Sequence, residues 1–316
     1  MTTVSASAPS KVNLFFGVGA TRPDGFHDVV SLYQELNLRE TVSVTVSDKH
    51  SIEVAGTIDE RQLALVPRSE ANLVVKAAHL LLRATGVDDI ALDFEIFKRV
   101  PVAGGMAGGS ADAAAALLAC NQLLETNFSR ERLIREAAAL GSDVPFALLG
   151  GTALGLGRGE NLESVQLGTE LNFVMILNKA GLSTPEVYQE LDRLREAEGM
   201  DPRQLGTPEP PQALMAALAA GDFKGITQHV HNDLQPAALS LLPELELTIS
   251  AAEKYGAAKA FVSGSGPTVA ALVETADDAK ALAIALQHAN FNAFAVQSEA
   301  LGARLEPTSA TESAKA

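Results

Sequence analysis

The pattern of apolar and polar positions predicts both strands and helices in the first half of the chain. Apolar, β-branched runs typical of strands occupy residues 8–18, 29–38, 41–46, 52–54 and 90–97. Residues 41–46 read TVSVTV, an alternation expected where one face of a strand is buried. Helical spacing of apolar residues predicts helices at 72–83, 110–124 and 129–140. These elements together predict a mixed sheet with helices packed against it.

The composition changes near residue 170, which predicts a second domain. An apolar strand at 171–177 is followed by a helix that starts at Ser183 or Thr184 and carries Tyr188, and then by a proline-rich loop at 195–212. Further helices are predicted at 213–220, 223–230, 243–255 and 277–288, and a further strand at 293–296. We expect one domain over 1–165, a second over 166–305 and a disordered tail at 306–316.

A cluster of four glycines lies between the strand at 90–97 and the helix at 110–124. The segment 101–116 reads PVAGGMAGGSADAAAA. A glycine loop between a strand and a helix start can bind phosphate, because its backbone amides and the positive end of the helix dipole face the anion. The spacing matches neither GxxxxGK[ST] nor a dinucleotide-binding GxGxxG, which disfavours a Walker NTPase and a Rossmann oxidoreductase. A tight turn beside a helix of small residues remains the alternative.

Charge and composition restrict the partners. The chain has 316 residues, of which 47% are hydrophobic and 20% charged, so a globular protein with a sizeable core is expected. Its net charge of −15 disfavours binding to nucleic acid or to an anionic membrane through a basic surface. An anionic ligand would therefore be held locally, by amides and a few selected cations.

Compartment and metal signals are weak. Cys120 is the only cysteine, which suits a reducing compartment and excludes an internal disulfide. The N-terminus has no cationic and apolar leader, and no apolar run is long enough for a membrane span, so a cytoplasmic location is expected. His229 and His231 are two positions apart and do not share a helix face, which disfavours a zinc site.

Three short segments place chemically active side chains in unusual surroundings. Lys11 and Asn13 interrupt an apolar strand, although a lone lysine can also protect an edge strand. Phe26 and His27 follow a proline and glycine turn, where they can meet a ligand or anchor the loop. Asp143 stands before Pro145, where we expect no further helix; it is either a functional carboxylate or a turn cap.

Taken in order, five segments resemble the motifs of the GHMP small-molecule kinases. They are APSKVNLFFGV, RPDGFHDVVSLYQ, PVAGGMAGGSADAAAAL, LGSDVPF and SGSGPTVAAL, and together they span residues 8–272. The resemblance implies an α+β, two-domain GHMP kinase fold. Its N-terminal domain would be ribosomal-protein-S5-like, its C-terminal domain ferredoxin-like, and the active site would lie in the cleft between them.

The resemblance is strongest to the branch of the family that phosphorylates the 2-hydroxyl of cytidine-diphosphate methylerythritol in the non-mevalonate isoprenoid pathway. It implies ATP as phosphoryl donor, with Mg²⁺ entering as the nucleotide complex and no dedicated metal site in the chain. Asp143 would be the base that accepts the hydroxyl proton. Lys11 would lie beside it, keep it ionised and neutralise charge on the γ-phosphoryl group.

The remaining site residues are also carried by the resemblance. ATP would be bound by Pro101, Val102, Ala103, Gly104, Gly105, Met106, Ala107, Gly108, Gly109, Ser110 and Ala111, with Lys98 and Asn72 near the nucleoside. Phe26 and Tyr188 would sandwich the cytosine ring, and His27 would make polar contacts to it. Asn13 and Thr268 would lie near the reacting end of the acceptor.

Two departures from the family pattern lie in the glycine loop. Ala103 and Ala107 stand where the family typically has glycine. Because alanine disfavours positive φ, we expect both residues in ordinary backbone regions. Phe26 stands where tyrosine is also familiar, which preserves stacking but not a hydroxyl contact. Other GHMP kinases, such as a homoserine or mevalonate kinase, and a catalytically silent ligand-binding relative remain alternatives.

Overall fold

The computed structural model describes residues 2–86 and 90–307. The predicted tail lies outside the described residues from position 308 onward. At its start, the backbone N–H of Glu306 donates to Ser5 O at 2.8 Å, so residue 306 is attached to the first strand.

The structure contains two sheets and eleven helices in the described residues, which confirms the α+β expectation. The strands are β1 (Thr3–Thr21), β2 (His27–Ser47), β3 (Ser51–Gly56), β4 (Ala91–Lys98), β5 (Thr152–Leu156), β6 (Asn161–Ser164), β7 (Asn172–Leu177), β8 (His231–Asn232), β9 (Lys259–Val262), β10 (Val269–Val273), β11 (Asn292–Gln297) and β12 (Arg304–Leu305). The helices are α1 (Glu60–Leu65), α2 (Leu73–Thr85), α3 (Gly108–Leu123), α4 (Arg130–Ala137), α5 (Val144–Leu149), α6 (Thr184–Ala197), α7 (Gln212–Ala220), α8 (Phe223–His229), α9 (Gln235–Leu241), α10 (Glu244–Lys254) and α11 (Ala276–His288).

The first sheet is built on the long antiparallel pair of β1 and β2. Its strand order is β12-β1-β2-β4-β3, with β5 and β6 extending from β2 and β8 pairing with β1. The two strands predicted at 29–38 and 41–46 are one strand, β2. The register of β1 against β2 shifts at Pro9/Ser10, between Asn13 and Phe15, and between Val18 and Thr21. Such irregularities bend the strands and redirect side chains, here around Lys11 and Asn13.

The second sheet is smaller and wholly antiparallel, in the order β11-β7-β10-β9. Its core includes residues from the helices α6, α9, α10 and α11. The predicted boundary at 165/166 falls between β6 and β7, but the chain crosses it again later, because β8 and β12 pair with β1 of the first sheet. The exact boundary stays a prediction.

Helix α3 is the centre of the first half. Its alanines are almost completely buried together with α2, β1, β2 and β4, and small side chains allow this close approach. Cys120 lies in this core, where burial raises the pKa of its thiol to about 12, as expected for an inert thiol. Because α3 is packed against these elements along its whole length, the position of its first turn is fixed.

Pro145 does not prevent a helix, contrary to the expectation at this position. Helix α5 begins immediately after Asp143, with the proline in its first turn, where the missing N–H has no helical partner in any case. Within 2–86 and 90–307, no helix is long and apolar enough to cross a membrane.

Candidate active site

Elements of both halves line one cleft of about 1030 Å³. Of the residues predicted for the site, the cleft is lined by Lys11, Phe26, His27, Pro101, Ala103, Gly104, Gly105, Ala107, Gly108, Gly109, Ser110, Asp143 and Tyr188. They come from β1, from the turn before β2, from the glycine loop and the start of α3, from the start of α5, and from α6. Segments that are far apart in sequence therefore meet at one surface.

The glycine loop is fixed to β1 and to the turn that follows β9. The backbone N–H of Lys11 donates to Met106 O at 3.2 Å. Gly105 has φ +73°, and a Cβ there would lie 2.4 Å from Ser263 O, so the position requires glycine. The first α3 bond at the N-terminus runs from Ala111 N–H to Ala107 O, which leaves the preceding amides free for an anion.

The backbone expectation for the two loop alanines is wrong. Ala103 has φ +54° and Ala107 has φ +60°, both in the left-handed region. The chain keeps the backbone path that glycines normally supply, because the loop is held at both ends by β4 and α3. Each alanine carries the steric cost of its Cβ in this conformation, about 1–2 kcal/mol.

Lys11 and Asp143 form an ion pair across the cleft, with 3.9 Å between Nζ and Oδ2. Lys11 is buried, and its ammonium also donates to Asn13 Oδ1 at 2.6 Å and to Gly105 O at 2.9 Å. Asn13 in turn donates to Ser31 Oγ at 2.7 Å. Lys11 is therefore aimed at a fixed point between the glycine loop and Asp143. Its position is not that of an exposed edge-strand lysine.

The Asp143 carboxylate is not used as a helix cap. The residue stands at the N-cap of α5, but its side chain accepts no capping hydrogen bond. Its Oδ1 accepts a hydrogen bond from Tyr33 Oη at 3.3 Å, and its side chain is 31% exposed to the cleft. A carboxylate held by a cation and a hydroxyl, and still open to the cleft, can accept a proton from a bound hydroxyl group.

Burial and charge shift two groups beside this carboxylate. Burial lowers the pKa of Lys11, and the nearby Asp143 partly opposes that shift. The pKa of Tyr33 is raised well above its usual value, first by burial and then by the negative charge of Asp143. Tyr33 therefore remains a neutral hydrogen-bond donor to the carboxylate over the physiological pH range.

A side cavity of about 240 Å³ adjoins the glycine loop. Asn72, Lys98 and Val102, all predicted for ATP, line it together with Ala103 and Gly109. The polar atoms of Asn72 are engaged within the chain: its Oδ1 caps α2 at Val74 N–H, and its Nδ2 donates to Pro67 O. These two bonds hold the wall of the side cavity in place.

Lys98 is ion-paired inside the protein rather than free. Its Nζ lies 2.5 Å from Glu40 Oε1 and 2.6 Å from Asp112 Oδ2, and all three side chains are buried. Burial is the largest cause that raises the pKa of Glu40 to about 7 and also raises that of Asp112. Asp112 Oδ1 has no hydrogen-bond partner in the described residues, and Asp112 lines the side cavity. The free acceptor beside this cavity suits a ligand N–H group.

Three of the predicted acceptor residues, Phe26, His27 and Tyr188, line the cleft. The rings of His27 and Tyr188 stack with centroids 4.9 Å apart, and Phe26 is 53% exposed at the rim. His27 Nε2 lies 3.0 Å from Asp192 Oδ1. Tyr188 and Asp192 are one turn apart on α6, so this helix contacts the imidazole at both its face and its edge.

Four of the predicted residues do not line either cavity. They are Asn13, Met106, Ala111 and Thr268, and all four side chains are buried. A Cβ on Gly104 would lie 3.1 Å from Thr268 Oγ1, so Thr268 lies behind the glycine loop. Thr268 therefore contacts the glycine loop, and its place near the reacting end of the acceptor stays a prediction.

Several residues that support the site were missed in the sequence. They are Tyr33, Asp192, Arg158, Glu40 and Asp112. Tyr33 and Asp112 lie inside two of the segments that resemble family motifs, but neither was recognised there as a site residue. Asp112 had one signal, because it stands in a run of alanines, where a buried carboxylate requires a cation. Its partner Lys98 lies on a different element, so only the fold identifies the pairing.

Within the described residues, no three His, Cys, Asp or Glu side chains form a group that could hold a metal ion. Magnesium commonly binds through one or two carboxylates together with substrate phosphates. In the cleft, the Asp143 carboxylate and the Ser110 hydroxyl are oxygen donors of the type that a nucleotide-bound Mg²⁺ uses.

Comparison with known proteins gives consistent matches over both halves. The family models named GHMP kinases N terminal domain and GHMP kinases C terminal match residues 72–151 and 214–293. The 4-diphosphocytidyl-2-C-methyl-D-erythritol kinase of Pseudarthrobacter chlorophenolicus is 44% identical over 310 residues, covering 96% of this chain and 95% of the relative. That of Nocardia farcinica is 50% identical over 287 residues, covering 90% and 89%. The crystal structure of a 4-(cytidine 5'-diphospho)-2C-methyl-D-erythritol kinase matches with a TM-score of 0.73 at 30% identity, over 93% of this chain and 98% of that one.

Proposed function

Because the chain belongs to the GHMP kinase family, we propose that it transfers the γ-phosphoryl group of ATP to the 2-hydroxyl of 4-diphosphocytidyl-2-C-methyl-D-erythritol. It has the α+β, two-domain GHMP kinase fold. Relatives that carry this enzyme's name are 44% and 50% identical over nearly the whole chain. The chain is thus an ATP-dependent kinase whose product serves isoprenoid precursor synthesis.

The proposal rests most directly on the Lys11–Asp143 pair, held 3.9 Å apart beside the glycine loop. Phosphoryl transfer requires mainly alignment of the two substrates and stabilisation of charge on the moving group. A carboxylate beside a buried ammonium supplies a proton acceptor and a cation at one point. This arrangement argues against a catalytically silent binding protein.

In the proposed reaction, Asp143 accepts the proton of the 2-hydroxyl as that oxygen bonds to the γ-phosphorus. The bond from the γ-phosphorus to the β,γ-bridging oxygen breaks, and ADP leaves with the electron pair. Lys11 neutralises the charge that develops on the transferred group. Tyr33 orients Asp143 through its hydroxyl, and Asn13 and Gly105 O hold the ammonium in place.

We assign the nucleotide to the glycine loop. Its phosphates would contact the backbone amides at the start of α3 and the Ser110 hydroxyl, with the nucleoside in the side cavity near Asn72 and Lys98. Since Lys98 is neutralised by Glu40 and Asp112, it would contribute shape and its aliphatic stem rather than a free charge. Mg²⁺ would enter with ATP, and it supplies charge neutralisation between the phosphates.

The cytosine of the acceptor would lie between Phe26 and Tyr188. His27 and Tyr188 already stack on each other, and both rings line the cleft where the base would bind. A carboxylate only accepts hydrogen bonds, so Asp192 requires a proton on His27 Nε2 and leaves Nδ1 available to the base. The expected cytoplasmic location and the expected lack of nucleic-acid partners remain predictions.

The replacement Asp143→Asn tests the assignment of the base. It keeps the side-chain shape and removes the proton acceptor, so turnover should fall by roughly 10² to 10⁴. The control is Asp277→Asn, because that side chain is 92% exposed on α11 and away from the cleft. Release of ADP that depends on the acceptor is measured for both variants. Near-normal turnover of a folded Asp143→Asn protein would remove Asp143 from this role.

A further inference from the structure

Arg158 is a cleft residue to which neither the sequence motifs nor the mechanism assigns a task. Among the described residues that line the cleft, the only lysine and arginine side chains are Lys11 and Arg158. Lys11 is committed to Asp143 and the glycine loop. The whole chain carries a net charge of −15, so its overall charge does not favour the binding of a second phosphate-bearing ligand beside ATP.

The position of Arg158 joins the two ends of the acceptor site. Its neighbour Gly159 contacts Tyr33 so closely that a Cβ there would lie 2.3 Å from the tyrosine oxygen, and this hydroxyl donates to Asp143. The Arg158 side chain extends the other way, with its guanidinium carbon 5.3 Å from the centre of the Phe26 ring. The residue thus lies between the reacting end and the nucleobase end.

The guanidinium is also available for a ligand. Glu160 Oε2 accepts the Arg158 backbone N–H at 2.7 Å, and the Nε lies 3.6 Å from Glu160 Oε1. The side-chain N–H groups of Arg158 donate no hydrogen bond to any described residue, and the side chain is 35% exposed. Glu160 and Phe26 therefore fix the direction of the side chain while its outer edge stays free.

We propose that Arg158 binds the diphosphate of the acceptor substrate. The inference rests on the proposed function, which places a diphosphate between the cytosine and the methylerythritol. A guanidinium presents N–H donors in a planar fork that matches two phosphate oxygens, so it gives direction as well as charge. Arg158 thereby selects a nucleoside diphosphate ester over a neutral acceptor of the same length.

Binding measurements with CDP and cytidine test this assignment directly. Calorimetry with saturating ADP present keeps the nucleotide subsite filled, and the measured quantity is the ratio of the cytidine Kd to the CDP Kd. The ratio isolates the contribution of the diphosphate, because both ligands carry the same nucleobase and ribose. In the variant Arg158→Met this ratio should fall about tenfold, while the cytidine Kd stays within a factor of two.

The chain offers a matched control in Arg132→Met. Arg132 also lies over an aromatic ring, 3.4 Å from the centre of Phe128, but it does not line the cleft. This variant should leave the ratio unchanged. In Arg158→Lys the ratio should be higher than in Arg158→Met but lower than in the unaltered protein, because lysine keeps the positive charge and lacks the planar pair of N–H donors. Thermal unfolding of each variant verifies that the protein is folded.

The outcomes separate this inference from the proposed function. An unchanged ratio in Arg158→Met, with turnover of the cytidine-diphosphate acceptor by the unaltered protein, would overturn the role of Arg158 alone. An equal loss of affinity for cytidine and CDP would assign Arg158 to the nucleobase and also overturn it. If neither ligand binds the unaltered protein, the nucleobase site is wrong and both proposals fail.

Discussion

Replacing Ala107 by glycine should stabilise the protein, although it removes a methyl group. Ala107 has φ +60° immediately before α3, a conformation in which a Cβ is strained. Glycine adopts this conformation without that cost. Ala103, with φ +54° in the same loop, provides a second and independent test.

The magnitude follows from two opposing terms. Release of left-handed strain contributes about 1–2 kcal/mol, and the greater freedom of glycine in the unfolded chain subtracts about 0.4–1 kcal/mol. The net gain lies between about 0 and 1.6 kcal/mol for each position, with a central value of about 0.8 kcal/mol. For a domain of this size the central value corresponds to a rise in Tm of roughly 2–3 °C.

The assay is thermal and urea-induced unfolding, followed by circular dichroism, in the absence of nucleotide. Ala113→Gly is the matched control, because Ala113 is fully buried inside α3. There the same chemical change should destabilise by at least about 0.5–1 kcal/mol, since the helical backbone gains nothing from glycine. The reasoning is refuted if Ala107→Gly destabilises the protein or if both variants change Tm in the same direction.

Three further predictions concern the acceptor site and buried charges. Phe26→Ala and Tyr188→Ala should raise the KM for the acceptor and leave the KM for ATP nearly unchanged; an unchanged acceptor KM would exclude the sandwich. Because burial lowers the pKa of Lys11 and the mechanism needs its charged form, kcat/KM should fall with rising pH before the ordinary lysine value of 10.5 is reached, whereas a plateau beyond that pH would contradict the assignment. The pKa of Glu40 is raised from 4.5 to about 7, so the folded state binds more protons than the unfolded state between these values and its stability falls as pH rises through them. The free energy of unfolding of the unaltered protein minus that of Glu40→Gln should decrease by about 1–3 kcal/mol as the pH rises from 4.5 to about 7, measured by denaturant titration. A difference that stays constant over this range would contradict the raised pKa of Glu40.

The local pattern predicted most helices and strands because their periodicity is set by which face is buried. It failed where tertiary contacts override a local preference. Ala103 and Ala107 adopt positive φ because the loop is fixed between β4 and α3. Pro145 was expected to prevent a helix. It lies in the first turn of α5, where proline is tolerated because the N–H that it lacks has no helical partner there.

The candidate site divides in the same way. The glycine loop was visible in the sequence because its residues are consecutive, and Lys11 and Asp143 were assigned through the resemblance to a family. Tyr33 and Asp192 were not found, because each acts on a site residue through a contact formed only in the fold. Lys98 lines the side cavity, and its role near the nucleoside stays a prediction; its pairing with Glu40 and Asp112 could not be predicted from spacing.

The identity of the acceptor is tested by the initial rate of ADP release with three acceptors supplied separately. These are 4-diphosphocytidyl-2-C-methyl-D-erythritol, homoserine and mevalonate, each with MgATP at saturation. We expect rapid release with the cytidine-diphosphate acceptor, formation of its 2-phosphate in equal amount, and only background release with the other two. Release that is independent of the acceptor, or faster with homoserine or mevalonate, would contradict this expectation.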